Sequence, residues 1–394
     1  MAVREIREGI YSVGVIDWDR QVFDELVPLP EGTTYSSYIV KGSEKTALID
    51  AVDAEFEEEF ITNLARSGID GIDYIIVNHT EQDHSGALMV FLELFPGVKI
   101  ITSERGADLL EVLHQIPKFR IQVVGDGETL SLGDKTLEFM ITPWVHWPDT
   151  MMTYVREDKV LFSCDLFGAH YACSDLYVGE KCRHTLLAKR YFAEIMMPFR
   201  PKVTEYIERL SGYEISFIAP SHGPCYDDPA YILDLYTEWC TGDLKNKVII
   251  PYISMHGSTK KMVMYLTEAL IRRNIGVRPY DVGRADTGQV AMDLVDAATI
   301  IIATPTVLTG PHPKIANIAF IANMLKPRAK FAGIIGSYGW GGKTLKDLGN
   351  IMNKLEAEMF EPVYIKGLPS EEVYKSLEDL ADEILKKHKD EKIV

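Results

Sequence analysis

Cysteine is scarce in this chain, and the cysteines it has are not spaced as metal ligands. Five of the 394 residues are cysteine, and no two of them form a C-x-x-C pair. The odd count and the spacing argue against a disulfide framework and against a metal held by thiolates within the chain. Cys164 directly precedes Asp165 at the end of an apolar run. We therefore expect its thiol to point to the opposite side of a strand and to be buried as a small apolar group.

Long apolar runs are also missing. No run approaches the roughly 20 residues that cross a bilayer. The segment Met1–Glu5 lacks the charged and then apolar shape of a signal peptide. We therefore expect a cytoplasmic protein that does not interact with membranes.

Basic residues are fewer than acidic residues, and the difference between them is not the same in the two parts of the chain. The net charge is −17. Residues 247–394 carry 20 Lys and Arg against 17 Asp and Glu, a net charge of +3, which leaves −20 for residues 1–246. Nucleic acid is an unsuitable partner for so acidic a chain. The length allows two domains, and the polar stretch at Trp239–Asn246 predicts a boundary between residues 1–246 and residues 247–394.

Candidate metal ligands, in contrast, are concentrated between residues 79 and 84. His79, Glu81, Asp83 and His84 follow the apolar run at residues 74–77, which predicts a buried strand with the ligands in the loop at its end. So short a loop cannot place all four on one small ion without strain. The spacing suits two adjacent metals, with His79 and Glu81 facing one and Asp83 and His84 facing the other. Imidazoles and carboxylates without thiolates favour iron or manganese, with zinc as an alternative.

Three further candidate ligands occupy a similar setting far along the chain. His146 follows an apolar run at residues 137–143, Asp165 ends one at residues 160–164, and His222 ends one at residues 215–221. A single His at a strand end is more often a structural residue than a ligand. Because the setting recurs three times, we expect all three side chains to converge on the loop at residues 79–84.

This combination of motifs resembles the metallo-β-lactamase superfamily. Hydrolases of that superfamily usually carry a second His where this chain has Glu81, and the Glu is typical of the flavodiiron proteins, also called A-type flavoproteins. The resemblance extends to Gly32–Tyr35, His146–Asp149 and Phe167–Gly168 and covers essentially the whole chain. It implies an α/β protein with an N-terminal metallo-β-lactamase-like αββα sandwich and two irons per chain. The implied ligands are His79, Glu81 and His146 for one iron and Asp83, His84 and His222 for the other, with Asp165 bridging.

Three positions qualify this comparison. His84 binds the metal in some members of the family and not in others. Tyr191 matches a family tyrosine near the metals, and a core aromatic on a helix is an equally good interpretation of it. Phe23-Asp24 stands where relatives often carry Phe-His, so the role of that His as a proton donor is not transferred to this chain.

From residue 247 the sequence alternates strand, loop and helix, as in a doubly wound parallel sheet. Three loops at strand ends combine hydroxyls, glycines and aromatics. Amides and hydroxyls at a helix N-terminus bind phosphate, and the aromatics can stack on a flat ring. The order of the loops resembles a flavodoxin-like FMN-binding domain, and no G-x-G-x-x-G supports a dinucleotide. The candidate FMN-binding residues are Ser254, Met255, His256, Gly257, Ser258, Thr259, Pro305, Thr306, Val307, Leu308, Ser337, Tyr338, Gly339, Trp340 and Gly341.

The resemblance implies an oxidoreductase in which FMN passes electrons to an iron pair that reduces dioxygen to water or nitric oxide to nitrous oxide. We expect dioxygen, and an activity similar to coenzyme F420H2 oxidase or rubredoxin:oxygen oxidoreductase. The electron donor is expected to be external, either reduced coenzyme F420 or a rubredoxin. A head-to-tail homodimer or a dimer of dimers is expected. The alternatives are a dinuclear metal hydrolase with an added flavin domain and an electron carrier that uses FMN alone.

Overall fold

The computed structural model describes residues 3–394, which form two compact units. The first comprises the residues up to Phe192 together with Phe199–Cys240, and the second comprises Thr241–Val394 together with Ala193–Pro198. The predicted boundary after residue 246 lies inside the first strand of the second unit, which begins at Lys245. Among residues 3–394, none of the helices has both the length and the apolar character needed to span a bilayer.

The first unit contains two main β-sheets. Its strands are β1 (Arg4–Arg7), β2 (Ile10–Ser12), β3 (Val15–Asp17), β4 (Val22–Phe23), β5 (Val27–Pro28), β6 (Thr33–Tyr35), β7 (Tyr38–Lys41), β8 (Thr46–Ile49), β9 (Tyr74–Ile76), β10 (Lys99–Thr102), β11 (Ile121–Val123), β12 (Thr129–Ser131), β13 (Thr136–Ile141), β14 (Met151–Val155), β15 (Val160–Cys164) and β16 (Phe217–Pro220). The seven-stranded sheet has the order β1-β2-β7-β8-β9-β10-β11, and the five-stranded sheet has the order β12-β13-β14-β15-β16. Two small ribbons, β3 with β6 and β4 with β5, complete the set.

Helices cover the outer faces of these sheets. They are α1 (Glu57–Arg66), α2 (Gln82–Ser85), α3 (Leu88–Leu94), α4 (Glu104–His114), α5 (Lys181–Tyr191), α6 (Arg200–Leu210) and α7 (Pro229–Thr241). Short 3-10 turns lie at Ala54–Phe56, Lys118–Arg120 and Met197–Phe199, and a π-helical turn lies at Phe192–Met196.

Alternation along the buried strands explains the layers. Successive strand residues point to opposite faces, so Ile49 and Ile76 pack with Phe139 of the other sheet, while Leu48 and Ile75 pack outwards with the helical layer. Strands buried on both faces appear in sequence as continuous apolar runs. The predicted αββα sandwich is therefore confirmed.

The second unit is a parallel sheet with helices on its faces. Its strands are β17 (Lys245–Tyr252), β18 (Gly276–Asp281), β19 (Ala297–Val307), β20 (Gly310–Pro311), β21 (Phe331–Tyr338), β22 (Glu358–Met359) and β23 (Val363–Lys366). Its helices are α8 (Ser258–Arg272), α9 (Thr287–Leu294), α10 (Pro313–Leu325), α11 (Thr344–Ile351) and α12 (Glu371–Asp390).

The strand order of this sheet is β18-β17-β19-β21, with β22 and β23 both pairing with β21. The chain moves to one side of β17 first and then crosses to the other, so the order reverses between β17 and β19. Ligands of open α/β sheets bind at the carboxyl ends of the strands at such a switch point. The order is that of a flavodoxin-like sheet, as predicted.

Candidate functional site

The loop after β9 and the short helix α2 carry four of the predicted ligands. Glu81 is the residue before α2 and accepts a hydrogen bond from the His84 amide (2.9 Å). Asp83 and His84 follow within the helical turn, whereas His79 and Glu81 lie in the extended segment before it. All four side chains are buried. This change of backbone conformation directs them into two separate groups.

The first group contains His79, Glu81, His146 and one oxygen of Asp165. Glu81 Oε2 lies 3.1 Å from His79 Nε2 and 3.2 Å from His146 Nε2. Asp165 Oδ2 lies 3.6 Å from His79 Nε2 and 3.5 Å from His146 Nε2. The four candidate ligand atoms therefore surround a space the size of one cation.

The second group contains Asp83, His84 and His222. The two oxygens of Asp83 lie 3.1 Å from His222 Nε2 and 3.3 Å from His84 Nε2. The other oxygen of Asp165, Oδ1, lies 3.1 Å from His84 Nε2 and 3.4 Å from His222 Nε2. Asp165 therefore turns one oxygen towards each group, which is the geometry of a carboxylate that bridges two metals.

Several atoms of the two groups are buried without hydrogen-bond partners among residues 3–394. They are Asp83 Oδ1 and Oδ2, His84 Nε2 and Asp165 Oδ2. A buried carboxylate without a partner costs free energy unless it is paired or binds a metal. The set of four imidazoles and three carboxylates suits iron or manganese in particular. The residues therefore fit a pair of divalent cations.

The electrostatics of the site agree with cation binding. Burial lowers the pKa of His146 and His222, but the negative charge of the carboxylates close to them, Asp165 first, outweighs it and raises the pKa to about 9 for His146 and about 10 for His222. The carboxylates thus favour positive charge at these positions. A ligating imidazole is neutral, so a bound metal releases these protons and takes over the positive charge.

Two residues that are not themselves candidate ligands form hydrogen bonds with the ligand side chains. The Tyr191 hydroxyl donates a hydrogen bond to Asp165 Oδ1 (3.1 Å) and is fully buried. Asp149 Oδ2 lies 3.0 Å from His79 Nδ1 and also accepts from the Thr80 amide and hydroxyl. Asp149 had no predicted role, although its place in the His146–Asp149 motif was a signal. Metal-bound histidines usually donate their second N–H to such a carboxylate.

Two other residues beside the metal groups were not predicted as site residues. The ring of His170 lies 4.8 Å from that of His222, and burial lowers its pKa well below the usual value. Asp24 is at the exposed rim, where burial of one side and the neighbouring Glu81 and Asp83 raise its pKa to about 6. The only sequence signal for His170 is a polar residue in the buried run that follows Asp165.

The expected orientation of Cys164 was wrong. Its sulfur lies within 4.8 Å of the ligand atoms of His84 and Asp165, because a φ of 53° at this residue ends the alternation of β15. The expected burial is confirmed. Burial, with Asp165 and Asp50 nearby, raises the pKa of the thiol well above its usual value, so it is a neutral group and a poor metal ligand.

The second unit has a pocket of about 270 Å³ at the carboxyl ends of β17, β19 and β21. It lies where the strand order reverses and where α8 begins, so amides at a helix N-terminus are available to an anion. Most of the pocket residues come from the predicted loops, whereas Gly367 and Leu368 were not predicted. The lining residues are Ser254, Met255, His256, Ser258, Thr259, Pro305, Thr306, Ser337, Tyr338, Gly339, Gly367 and Leu368.

The remaining predicted FMN residues lie outside the lining of this pocket. Gly257 is the cap of α8, with a φ of 89° that suits glycine. Leu308 and Trp340 have exposed side chains, as Met255 and Leu368 do at the pocket itself. Val307 and Gly341 do not line the pocket either. The open pocket and its exposed apolar side chains are compatible with a flat ring that is covered further by another surface.

Comparison with known proteins places this geometry in a family. Residues 34–223 match the family model described as ODP family beta lactamase. The chain is 34% identical over 394 residues to rubredoxin-oxygen oxidoreductase of Megalodesulfovibrio gigas, covering 98% of each chain. It is 33% identical to nitric oxide reductase of Moorella thermoacetica, covering 90% of each. The crystal structure of the flavodiiron protein from Giardia intestinalis aligns with a TM-score of 0.91 at 27% identity, covering 98% of this chain and 96% of that chain.

The predicted cofactors, FMN and two irons, agree with these relatives, since the word flavodiiron denotes a flavin and two irons. The predicted enzyme class is confirmed as well, because the named relatives are oxidoreductases. With a third of its residues shared over nearly the full length of both chains, and with the two-unit fold described above, this chain belongs to the flavodiiron protein family of oxidoreductases.

Proposed function

We propose that this protein reduces dioxygen to water at a pair of irons, with electrons that pass through FMN from an external donor. Each turnover consumes one dioxygen, four electrons and four protons and yields two waters. The observation that carries the proposal is the division of seven candidate ligands, all buried except the half-buried His146, into two groups that share Asp165. A pair of irons bound there would supply stored electrons and open positions for a small molecule.

The residues of the chain have separate tasks in this proposal. His79, Glu81 and His146 would hold one iron, and Asp83, His84 and His222 would hold the other. Asp165 would contribute one oxygen to each group, and Tyr191 fixes Asp165 through its hydroxyl. Burial of the site excludes bulk water, while Asp24 at the rim offers a carboxyl group with a pKa near 6 for proton exchange with solvent.

Dioxygen is the preferred substrate because the relative from Megalodesulfovibrio gigas, which aligns with 98% of this chain, is a rubredoxin-oxygen oxidoreductase. Nitric oxide is the second candidate, since the relative from Moorella thermoacetica is a nitric oxide reductase. The test is anaerobic preparation of the reduced protein with two irons and FMN, followed by measured consumption of each gas under the same donor. Faster turnover of dioxygen supports the proposal, and a large preference for nitric oxide overturns it. Two zincs and no iron in the purified protein would instead favour a hydrolase.

The donor is reduced coenzyme F420 or a separate rubredoxin. The five cysteines form no C-x-x-C pair, so residues 1–394 contain no rubredoxin-type iron site. Charge does not separate the two donors, because both are acidic. Stopped-flow mixing of the oxidised protein with reduced F420, and separately with reduced rubredoxin, measures which of them bleaches the flavin on the timescale of turnover.

We also propose a head-to-tail dimer, or a dimer of such dimers, in which the FMN of one chain faces the irons of the other. Exposed apolar side chains occur in the first unit (Trp18, Leu26 and Trp144). They also occur at or next to the pocket of the second unit, here called the flavin pocket, which Leu368 lines and Trp340 lies beyond. Exposed apolar side chains grouped around a site are frequent at protein interfaces.

Co-expression of two defective chains tests this arrangement. Asp165→Ala removes the metals of one chain, and Gly339→Trp places an indole at the lining of the flavin pocket of the other. A Cβ at Gly339 meets no atom within 4 Å, so the backbone there accepts a side chain. A mixed head-to-tail dimer regains one working pair of sites, so activity should return. Mixed dimers without activity would contradict the arrangement.

A further inference from the structure

His170 lies against the metal groups without belonging to either of them. Its ring centroid is 4.8 Å from that of His222, 4.9 Å from that of Tyr191 and 5.1 Å from that of Phe23. Its side chain is 8% exposed. None of its atoms is among the clustered candidate ligands of the described residues. His170 is therefore a buried polar residue beside the site, and it has no role in the reaction proposed above.

One nitrogen of the ring is held by a long-range contact. His170 Nδ1 lies 2.9 Å from the hydroxyl of Thr33, which is 137 residues away in sequence. The same hydroxyl has two longer contacts, of 3.4 Å to the Thr34 carbonyl and of 3.5 Å to His222 Nδ1. His222 Nδ1 lies 2.7 Å from the same Thr34 carbonyl and donates its own proton there when Nε2 binds a metal.

The tautomer of His170 depends on where the Thr33 hydroxyl sends its single proton, since that hydroxyl can donate to the Thr34 carbonyl or to His170 Nδ1. We assign the proton to the shorter contact, the one of 2.9 Å to His170 Nδ1. Nδ1 is then an acceptor, and the proton of the neutral ring is on Nε2. Yet Nε2 is buried and has no hydrogen-bond partner in residues 3–394. An unpaired buried donor is costly unless a ligand or a water accepts from it.

We propose that the Nε2–H group of His170 donates a hydrogen bond to the small molecule that binds at the metal pair, on the side of Asp83, His84 and His222. The inference rests on the proposed function, because it requires metals in these groups. A fixed donor of this kind stabilises the negative charge that a diatomic molecule gains as it is reduced. His170 is thus a substrate-binding residue supplied by the first unit, and Thr33 is the residue that positions its proton.

Azide is a suitable probe, because it is a small anion whose binding to oxidised iron is followed by absorbance and requires neither turnover nor an electron donor. The protein, loaded with iron and FMN, is titrated with azide as wild type and as His170→Phe. The Phe ring fills the same space without a donor. Loss of a hydrogen bond to a charged group predicts a Kd about tenfold higher for His170→Phe. His170→Gln, whose amide is a donor, should recover part of the affinity.

His184 supplies the matched control. It is buried, its Nδ1 has no hydrogen-bond partner within the described part of the chain, and it contacts Tyr226, but it is not a member of either metal group. His184→Phe should therefore leave the Kd for azide unchanged. An unchanged Kd in iron-loaded His170→Phe would overturn the inference while the proposed function stands.

A second variant covers the case in which His170→Phe fails to load iron. Thr33→Val keeps the imidazole but removes the hydroxyl that fixes its proton on Nε2, so azide affinity should fall several-fold. Wild-type affinity in Thr33→Val would overturn the inference. A wild-type protein that binds no iron at all would refute the proposed function, and the inference with it.

Discussion

Asp149 and His79, 70 residues apart in sequence, are joined by a buried contact of 3.0 Å between Asp149 Oδ2 and His79 Nδ1. Burial raises the pKa of Asp149, but the hydrogen bonds from His79 and Thr80 outweigh it and lower the pKa below its usual value. The carboxylate is thus charged and fixes the ring with Nε2 directed to Glu81. The orientation of the candidate ligand His79 therefore depends on a residue that belongs to neither candidate metal group of the described residues.

Replacement of Asp149 by Ala should weaken metal binding by about 10- to 100-fold, the usual effect of removing such a partner. Competition with a chelator measures the affinity. Asp108→Asn is the control, because Asp108 is exposed and pairs only with surface side chains. Equal metal affinity in the Asp149 variant and the wild type would show that His79 needs no such partner.

Replacement of Asp165 and replacement of Asp83 should cause the loss of different numbers of metal ions. Asp165 has an oxygen in each group, whereas the histidines within 4 Å of the Asp83 carboxylate among residues 3–394 are His84 and His222. Asp165→Ala should lose both metals, and Asp83→Ala should keep the one in the group of His79. Metal content per folded chain, determined by elemental analysis, distinguishes the two variants. Retention of both metals by Asp165→Ala would exclude a bridging role.

Most of the site could be predicted because local sequence determines it. Buried strands appear as apolar runs, and polar residues directly after them must lie at sheet ends. His79, Asp165 and His222 follow this rule. The contact of Thr33 with His170 depends instead on how distant segments pack, and no local pattern records it. The orientation of Cys164 depends on a single backbone angle that its sequence neighbours do not reveal.

Gly336, which lies beside the flavin pocket, should not tolerate a larger residue, because a side chain there has no room. A Cβ there would lie 1.9 Å from the Thr304 carbonyl oxygen on the neighbouring strand β19. Because that atom belongs to the backbone, it cannot move aside without disturbing the sheet. Gly336→Ala should cost about 3 kcal/mol and weaken FMN binding, since Pro305 and Ser337 line the pocket.

Gly349→Ala is the matched control for that variant. Gly349 lies in helix α11, and an added Cβ meets nothing within 4 Å. Alanine should stabilise the protein there by about 0.5–1 kcal/mol. Thermal unfolding followed by release of FMN fluorescence measures both variants, and equal melting temperatures for the two would contradict the steric argument.

His388 should make the second unit sensitive to acid. It is fully buried on α12, with Nε2 2.7 Å from the Thr299 hydroxyl and Nδ1 2.8 Å from Asn246 Oδ1. Burial lowers its pKa to about 4, whereas an unfolded histidine has a pKa of about 6.5. The unfolded chain therefore binds a proton more readily, and stability falls as the pH decreases from about 6.5 to about 4.

The loss of folding stability due to His388 should reach at most about 3 kcal/mol at about pH 4. Gln at this position can still bond to Thr299 and Asn246, but it does not titrate. His388→Gln should therefore be less dependent on pH between 6.5 and 4 than the wild type, whatever its stability at neutral pH. Urea unfolding of the full chain at several pH values, followed by FMN fluorescence, measures this difference. Parallel pH profiles for the two proteins would show that His388 takes up its proton as readily in the folded unit as in the unfolded chain.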